Sequence, residues 1–284
     1  MKPRSITIFS HSRPEDTGGA LRRIAQLAEQ AGVEVRLPAA EIEKHGPVPG
    51  ALEAGADGAA ADTDLAVVLG GDGTILTHLR RFAGTGVPVF AVNFGAIGFL
   101  ATVEPEELDD GVRRALSGEI DAMELPGLVI RTQAGDRMAV NDISFHRRPD
   151  GRVAELAYSI QGEELGQVRC DGLVVSTPAG STGYNLANGG PVLAWGVEGF
   201  VVSFIAPHTL TARSLVVAPA DGLEVTNRSP LEEVDVTTDG QPACALAPQE
   251  CMPVRFEHRQ ALLAQAPGAT FYHRLRDKFG RLSY

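Results

Sequence analysis

Two uninterrupted apolar runs, residues 65–69 (LAVVL) and 87–92 (VPVFAV), constrain this chain most. A strand without polar alternation must be covered on both faces, as in a parallel sheet flanked by helices. The neighbouring residues alternate accordingly. Residues 5–9 read as a strand, and 17–31 carry Leu21, Ile24, Ala25, Leu27 and Ala28 at helical spacing, with Gly32 as terminator. Residues 33–37 read as a second strand, and 75–82 as a helix between the two runs. This is an α/β domain with a parallel sheet, whose ligands gather beyond the carboxyl ends of the strands. The stretch 41–63, rich in alanine and glycine, has no clear period and is expected to be a mobile excursion.

The rhythm changes near Leu125. Short β-rich runs follow at 128–132, 138–145, 154–160, 173–176, 200–205, 214–217, 233–237 and 253–257, which predict a mainly β domain. Residues 270–279 return to helical spacing. The expected division is 1–122, completed by 268–284, and 123–267; 284 residues suffice for two cores. No segment approaches the roughly 20 apolar residues that span a bilayer. The start, MKPRSITIFS, runs straight into strand alternation without the apolar stretch of a secretory signal, so a cytoplasmic protein without a membrane partner is expected. A net charge of -11 disfavours nucleic acid, which is bound through basic patches. Cys170, Cys244 and Cys251 are odd in number and lack CxxC spacing, which predicts buried small apolar residues rather than disulfides or zinc. The seven histidines show no metal-ligand spacing.

Gly70-Gly71-Asp72-Gly73-Thr74 follows the first apolar run. Closely spaced glycines let backbone amides approach phosphate oxygens, and a following helix adds its positive N-terminal end. The loop lacks the lysine and hydroxyl of a Walker A loop and does not fit GxGxxG. Asp72 brings a negative charge to a phosphate cradle, which leaves two readings open. It caps the helix through backbone amides. Alternatively it takes the proton of an acceptor hydroxyl while Mg²⁺ or another divalent cation, held through the phosphates rather than by protein side chains, spreads the charge.

Three further segments sharpen the choice. They are Asn93-Phe94-Gly95-Ala96-Ile97-Gly98-Phe99-Leu100, the pair Asn141-Asp142, and the run from Asp171 through Ser176-Thr177-Pro178-Ala179-Gly180-Ser181-Thr182-Gly183 to Tyr184. With GGDGT, and continuing through Pro207 to Arg213 and Asp239-Gly240-Gln241, this series resembles the NAD kinase family from roughly Asp64 to Gln241. The resemblance implies that the second domain is sandwich-like and binds NAD. It implies transfer of a phosphoryl group from ATP or inorganic polyphosphate to the 2′-hydroxyl of the adenosine ribose of NAD, giving NADP, with Asp72 as proton acceptor.

The resemblance also implies that Gly70, Gly71, Gly73 and Thr74 form the phosphate-donor loop, with Gly73 beside the nucleotide. Asn141 and Asp142 would hold the substrate ribose, and Asp171 would accept from the carboxamide. Thr182, Gly183, Tyr184, Asn185, Leu186 and Ala187 would surround adenine and ribose, and Gln241 occupies a family position. Arg152 and Arg169 lie where members present basic contacts. Cys170, Ala179 and Gly183 depart from the commonest pattern, and Ala179 lacks a hydroxyl at a position counted among the substrate contacts. His78 and His208 read as structural. A homodimer or homotetramer is implied. The GGDGT loop is shared with lipid kinases of the diacylglycerol type, which remains one alternative; a catalytically silent dinucleotide sensor is the other.

Overall fold

The computed structural model describes residues 2–55, 62–149 and 151–280. The chain divides into two compact units, Met1–Glu124 with Ala261–Tyr284, and Leu125–Gln260. The first part contributes β1 (Ser5–Ser10), α1 (Pro14–Ala31), β2 (Glu34–Leu37), α2 (Ala39–His45), β3 (Ala51–Glu53), β4 (Leu65–Gly70), α3 (Asp72–Arg81), β5 (Pro88–Asn93) and α4 (Leu108–Ser117). There follow β6 (Asp121–Thr132), β7 (Gly135–Ala139), β8 (Asp142–Arg147), β9 (Ala154–Ile160), β10 (Glu163–Cys170), β11 (Gly172–Ser176) and α5 (Tyr184–Ala187). The last elements are β12 (Phe200–Ile205), β13 (Leu215–Val217), β14 (Leu223–Asn227), β15 (Val234–Thr238), β16 (Gln241–Leu246), β17 (Cys251–Gln265) and α6 (Phe271–Phe279).

In the first unit the strand order is β3-β2-β1-β4-β5-β17, and each of these pairings is parallel. The chain moves outward from β1 to β3, then returns to β4 on the other side of β1. That reversal makes the carboxyl ends of β1 and β4 a topological switch point. Ile6, Ile8, Leu65, Val67, Leu69 and Phe90 pack with Leu21, Ile24 and Leu27 of α1 and with Leu108, Val112 and Leu116 of α4. Each such side chain contributes about 1.5–3 kcal/mol on burial.

Helix α1 starts three residues before the apolar period, because Pro14 opens it where a missing N–H costs nothing. It ends at Gly32, whose φ of 68° requires glycine's freedom and whose N–H closes on the Ala28 and Glu29 carbonyls. The stretch expected to be a mobile excursion instead contains α2 and β3, the latter parallel to β2. Helix α2 is anchored by Glu41, which accepts from Ser10 Oγ at 2.6 Å and from Lys44 Nζ at 2.7 Å. Seven residues are too few to display a helical period in sequence. Residues 56–61 of that stretch lie outside the described residues.

The second unit pairs its strands antiparallel in two sheets. One has the order β13-β12-β11-β8-β15-β16; the other runs β10-β9-β14-β17, and β6 joins β17 and β7. Alternate residues Ile143, Phe145, Leu173, Val175, Val202, Phe204, Val234 and Val236 of the first sheet pack with Leu156, Val168, Leu223, Val225, Met252 and Val254 of the second. That is a sandwich core. Strands β10, β14 and β16 gave no clear signal in sequence; β10 and β16 are edge strands carrying glycine, proline or several polar residues. The predicted strand 138–145 is two strands, interrupted at Val140–Asn141, for a reason given below. The return to the first unit falls within β17, at Ala261, rather than at 268, because one continuous strand shows no change of period where it passes from one unit to the other. Of the cysteines, Cys170 is buried, with its thiol pushed up to about 12 by burial. Cys251 is exposed and Cys244 half-buried, so the buried reading holds for Cys170 alone.

Candidate active site

Strand β4 delivers Gly70 and Gly71 to the switch point, and Asp72 opens α3 there. A Cβ on Gly70 would lie 2.6 Å from Thr74 Cβ, and one on Gly95 would lie 2.6 Å from Gly71 Cα. Two backbone loops therefore cross in van der Waals contact, secured by the Phe94 N–H donating to the Gly70 carbonyl at 3.1 Å. The Thr74 N–H donates to the Gly71 carbonyl at 2.9 Å, which leaves the Asp72 and Gly73 amides at the positive end of α3, an arrangement suited to phosphate oxygens. Gly95→Ala is expected to force the loops apart at a cost of about 1–3 kcal/mol, checked by urea unfolding.

Asp72 does not cap its own helix. Its Oδ2 accepts from the Phe99 N–H at 3.0 Å and its Oδ1 from the Leu100 N–H at 2.8 Å. The helix-end amides stay available to a ligand, and each carboxylate oxygen keeps a lone pair for a further donor. The glycine-rich segment after β5 thus has a defined task, which is to hold Asp72. It is braced by Asn93, whose Oδ1 accepts from Gly95 N–H at 3.0 Å and whose Nδ2 donates to Glu104 at 2.9 Å. The His78 ring packs against Phe9 at 4.1 Å, tilted by 33°, and burial pulls its pKa down to about 3, so it stays neutral and buried as a structural residue.

In the second unit, Asp142, Ser144 and His146 alternate along β8 on the face opposite the sandwich core. Their partners across the sheet are Ser176 on β11 and Thr237 and Asp235 on β15. The interruption before β8 has one cause: the Asp239 carboxylate accepts from Val140 N–H at 3.0 Å, Asn141 N–H at 2.7 Å and Asp142 N–H at 3.1 Å. Asp239 and Gly240, with φ of 46° and 73°, make the two-residue turn between β15 and β16 that aims this carboxylate. Asp239→Ala would strand three amides and is expected to destabilise the unit by about 2–4 kcal/mol, read as a fall in melting temperature.

The Asn141 carbonyl accepts from Thr177 N–H at 2.9 Å, and a Cβ on Gly180 would sit only 2.1 Å from it, so the 177–183 segment lies directly on Asn141. Asn141 Oδ1 is buried without a hydrogen-bond partner among the described residues, an acceptor that a ligand hydroxyl or amine would satisfy. Asp142 is 7 % exposed; burial, aided by the charge of Asp239, raises its pKa to about 7. Tyr184 stacks on His146 at 5.7 Å with the rings 22° apart, and its hydroxyl pKa is raised by burial and then by Asp142 and Asp171. His146 meets Ser144 Oγ at 2.8 Å, and burial lowers its pKa. Asp171 accepts from Arg147 Nε at 2.6 Å.

The second unit therefore gathers Asn141, Asp142, Asp171, Gly183 and Tyr184 around one polar patch. Other candidates fall differently. Arg169 is exposed and turns to Glu155 at 3.4 Å; Arg152 and Gln241 are exposed. Ala179 and Asn185 are buried, and Asn185 Nδ2 donates to the Ser181 and Pro191 carbonyls at 2.9 Å, framing the loop from inside. Thr182 is half-buried with its hydroxyl on the Ala179 carbonyl, Leu186 is half-buried, and Ala187 is exposed. Arg147, Ser144 and His146 were not singled out from the sequence, and Asp239 stood there only as part of Asp239-Gly240-Gln241, without a role. The alternation Asp142-Ser144-His146 was the available signal, a polar face on an otherwise apolar strand.

Comparison with known proteins converges on one family. A model of the ATP-NAD kinase N-terminal domain matches residues 19–120, and one of the ATP-NAD kinase C-terminal domain matches 140–265. The NAD kinase of Gemmatimonas aurantiaca is 40% identical over 227 residues, 76% of this chain and 77% of that protein. That of Symbiobacterium thermophilum is 35% identical over 284 residues, 97% of this chain and 98% of that one. The crystal structure of yeast NADH kinase complexed with NADH shares the fold, with a TM-score of 0.87 at 23% identity over 100% of this chain and 89% of that one. An NAD kinase from Archaeoglobus fulgidus in complex with ATP gives 0.74 at 26% identity over 97% of both chains. With both domain models matched and relatives of this identity spanning most of its length, the chain belongs to the NAD kinase family.

Proposed function

We infer that this chain is an NAD kinase that transfers the terminal phosphoryl group of ATP, or of inorganic polyphosphate, to the 2′-hydroxyl of the adenosine ribose of NAD. The observation that carries the reading is the Asp72 carboxylate, held by the Phe99 and Leu100 amides at the open N-terminal end of α3. As the hydroxyl oxygen bonds to phosphorus, its proton passes to Asp72 and the bond from phosphorus to the departing ADP, or shortened polyphosphate, breaks. The amides of Gly71, Asp72 and Gly73 face the phosphate oxygens, while the Thr74 N–H donates to the Gly71 carbonyl. Asn141 Oδ1 accepts from the substrate and Asp142 takes a ribose hydroxyl. Tyr184 supplies a stacking surface, which neutral His146 supports from behind.

Among the described residues no three His, Cys, Asp or Glu side chains are grouped to hold a metal. The amide-lined loop suits the donor's phosphates, and a divalent cation carried on those phosphates would neutralise charge on the transferring group. We place the enzyme in the cytoplasm, as a homodimer or homotetramer; light scattering of the purified protein tests the assembly.

Purified protein given NAD and Mg²⁺ with ATP, and separately with polyphosphate, is expected to form NADP with at least one donor. Folded protein that binds NAD yet forms no NADP with either donor would mean a sensor rather than a kinase. Phosphorylation of diacylglycerol in place of NAD would equally overturn the reading.

A further inference from the structure

The Asp72 carboxylate is only as well placed as the loop that holds it. Helix α6 makes a second set of contacts with that loop. Arg274 Nη1 donates to the Phe99 carbonyl at 2.8 Å and to the Ala101 carbonyl, while Nη2 reaches Gln265 Oε1. The Phe99 carbonyl and the Leu100 N–H belong to one peptide unit. Its oxygen is gripped by the guanidinium and its hydrogen by Asp72 Oδ1. A cation on the carbonyl polarises the peptide and strengthens the N–H as a donor. Arg274 and Asp72 thus face each other through a single amide plane.

We propose that Arg274 is a positioning residue for Asp72, acting through the Phe99–Ala101 backbone to fix the carboxylate that receives the hydroxyl proton. The inference rests on the kinase reading above. Packing alone does not call for this arginine. Phe271 and Leu275 already bury α6, and the Phe99 ring packs against Phe271 at 6.1 Å and Phe279 at 5.6 Å. Burial pulls the Arg274 pKa down to about 10, against the attraction of Asp72 and Glu104. A desolvated guanidinium is costly to keep unless its geometry is used, and a planar fork spanning two carbonyls and an amide oxygen uses it.

One turn further along α6, Lys278 pairs with Glu104. Glu104 accepts from Asn93 Nδ2, and Asn93 Oδ1 accepts from the Gly95 N–H at the crossing of the two loops. Two cations four residues apart on one helix face therefore brace both arms of the segment, Arg274 at Asp72 and Lys278 at Gly95.

The test compares Arg274→Gln and Arg274→Lys in the parent and in an Asp72→Asn background. Parent NADP formation, measured first, decides the kinase reading by itself. Arg274→Gln is expected to lower kcat at least about tenfold, as a displaced reacting group does, with KM for NAD and ATP within about threefold. In the Asp72→Asn background the same substitution should change nothing further. Hydrogen exchange supplies a readout independent of activity. The Phe99 and Leu100 amides should lose protection in Arg274→Gln while those of β4 and β5 keep theirs, and Arg274→Lys should restore part of it. Parent-like kcat and protection, a comparable loss in the Asp72→Asn background, or a rise in KM alone would overturn the proposal. So would failure of both variants to fold, because Arg274 would then serve the fold.

Discussion

Asp72→Asn is expected to lower NADP formation by about 10²–10⁴-fold while leaving NAD affinity within a few-fold. The substitution preserves shape and removes the proton acceptor. It also disturbs the support, because both carboxylate oxygens receive backbone N–H groups and an asparagine can offer only one acceptor. One amide, of Phe99 or Leu100, would then face the NH₂ of the introduced side chain, a mismatch costing about 1–3 kcal/mol. A modest loss of stability should accompany the loss of turnover. Initial rates with calorimetric NAD binding check the first expectation, and urea unfolding the second. A variant retaining more than a tenth of the parent kcat would remove Asp72 from the chemistry.

Asp142→Asn is expected to act in opposite senses on stability and on catalysis. The folded-state pKa is raised to about 7 by burial and then by Asp239, whereas an unfolded aspartate titrates near 4. Below about pH 4 both states are protonated and the folded protein carries no penalty. As pH rises from about 4 through 7, ionisation is easier in the unfolded chain, so this group withdraws stability, fully above 7. Asparagine mimics the protonated form. The variant should match the parent at pH 4.5 and exceed it at pH 8 by about 1–3 kcal/mol, seen as a higher melting temperature. Its kcat/KM for NAD should meanwhile fall about 10–100-fold, since hydrogen bonds to a charged acceptor contribute about 1.5–3 kcal/mol. A stability difference that shrinks from pH 4.5 to pH 8 would contradict the raised pKa.

How much of this was readable beforehand depended on the range of each interaction. The runs at 65–69 and 87–92 became β4 and β5, because a strand buried on both faces announces itself within five or six residues. Strand β12 was readable for the same reason, and its bounds match the run at 200–205. Strands β10 and β16 were not, because an edge strand relaxes the demand for apolar alternation. The division of 138–145 into β7 and β8 depends on Asp239, nearly a hundred positions away, taking three amides out of the ladder.

The site shows the same limit. Asp72, Asn141, Asp142, Asp171 and Tyr184 could be singled out because they stand in recognisable local motifs. Arg169 lies where family members present basic contacts, yet it turns to Glu155, while Arg147, two residues beyond Phe145 on β8, pairs with Asp171. Arg274 was invisible, since its partners are backbone carbonyls 175 and 173 positions away and a carbonyl leaves no mark in a sequence.

The most direct test of the central claim is a single-turnover reaction. Enzyme in excess over NAD is mixed with ATP and Mg²⁺, and the 2′-phosphorylated product is counted with an NADP-specific dehydrogenase. The parent is expected to convert the bound NAD to NADP, and Asp72→Asn to do so at least about a hundredfold more slowly. Folded parent that binds NAD but yields no NADP, with ATP or with polyphosphate, would contradict it, as would an Asp72→Asn variant that keeps pace with the parent.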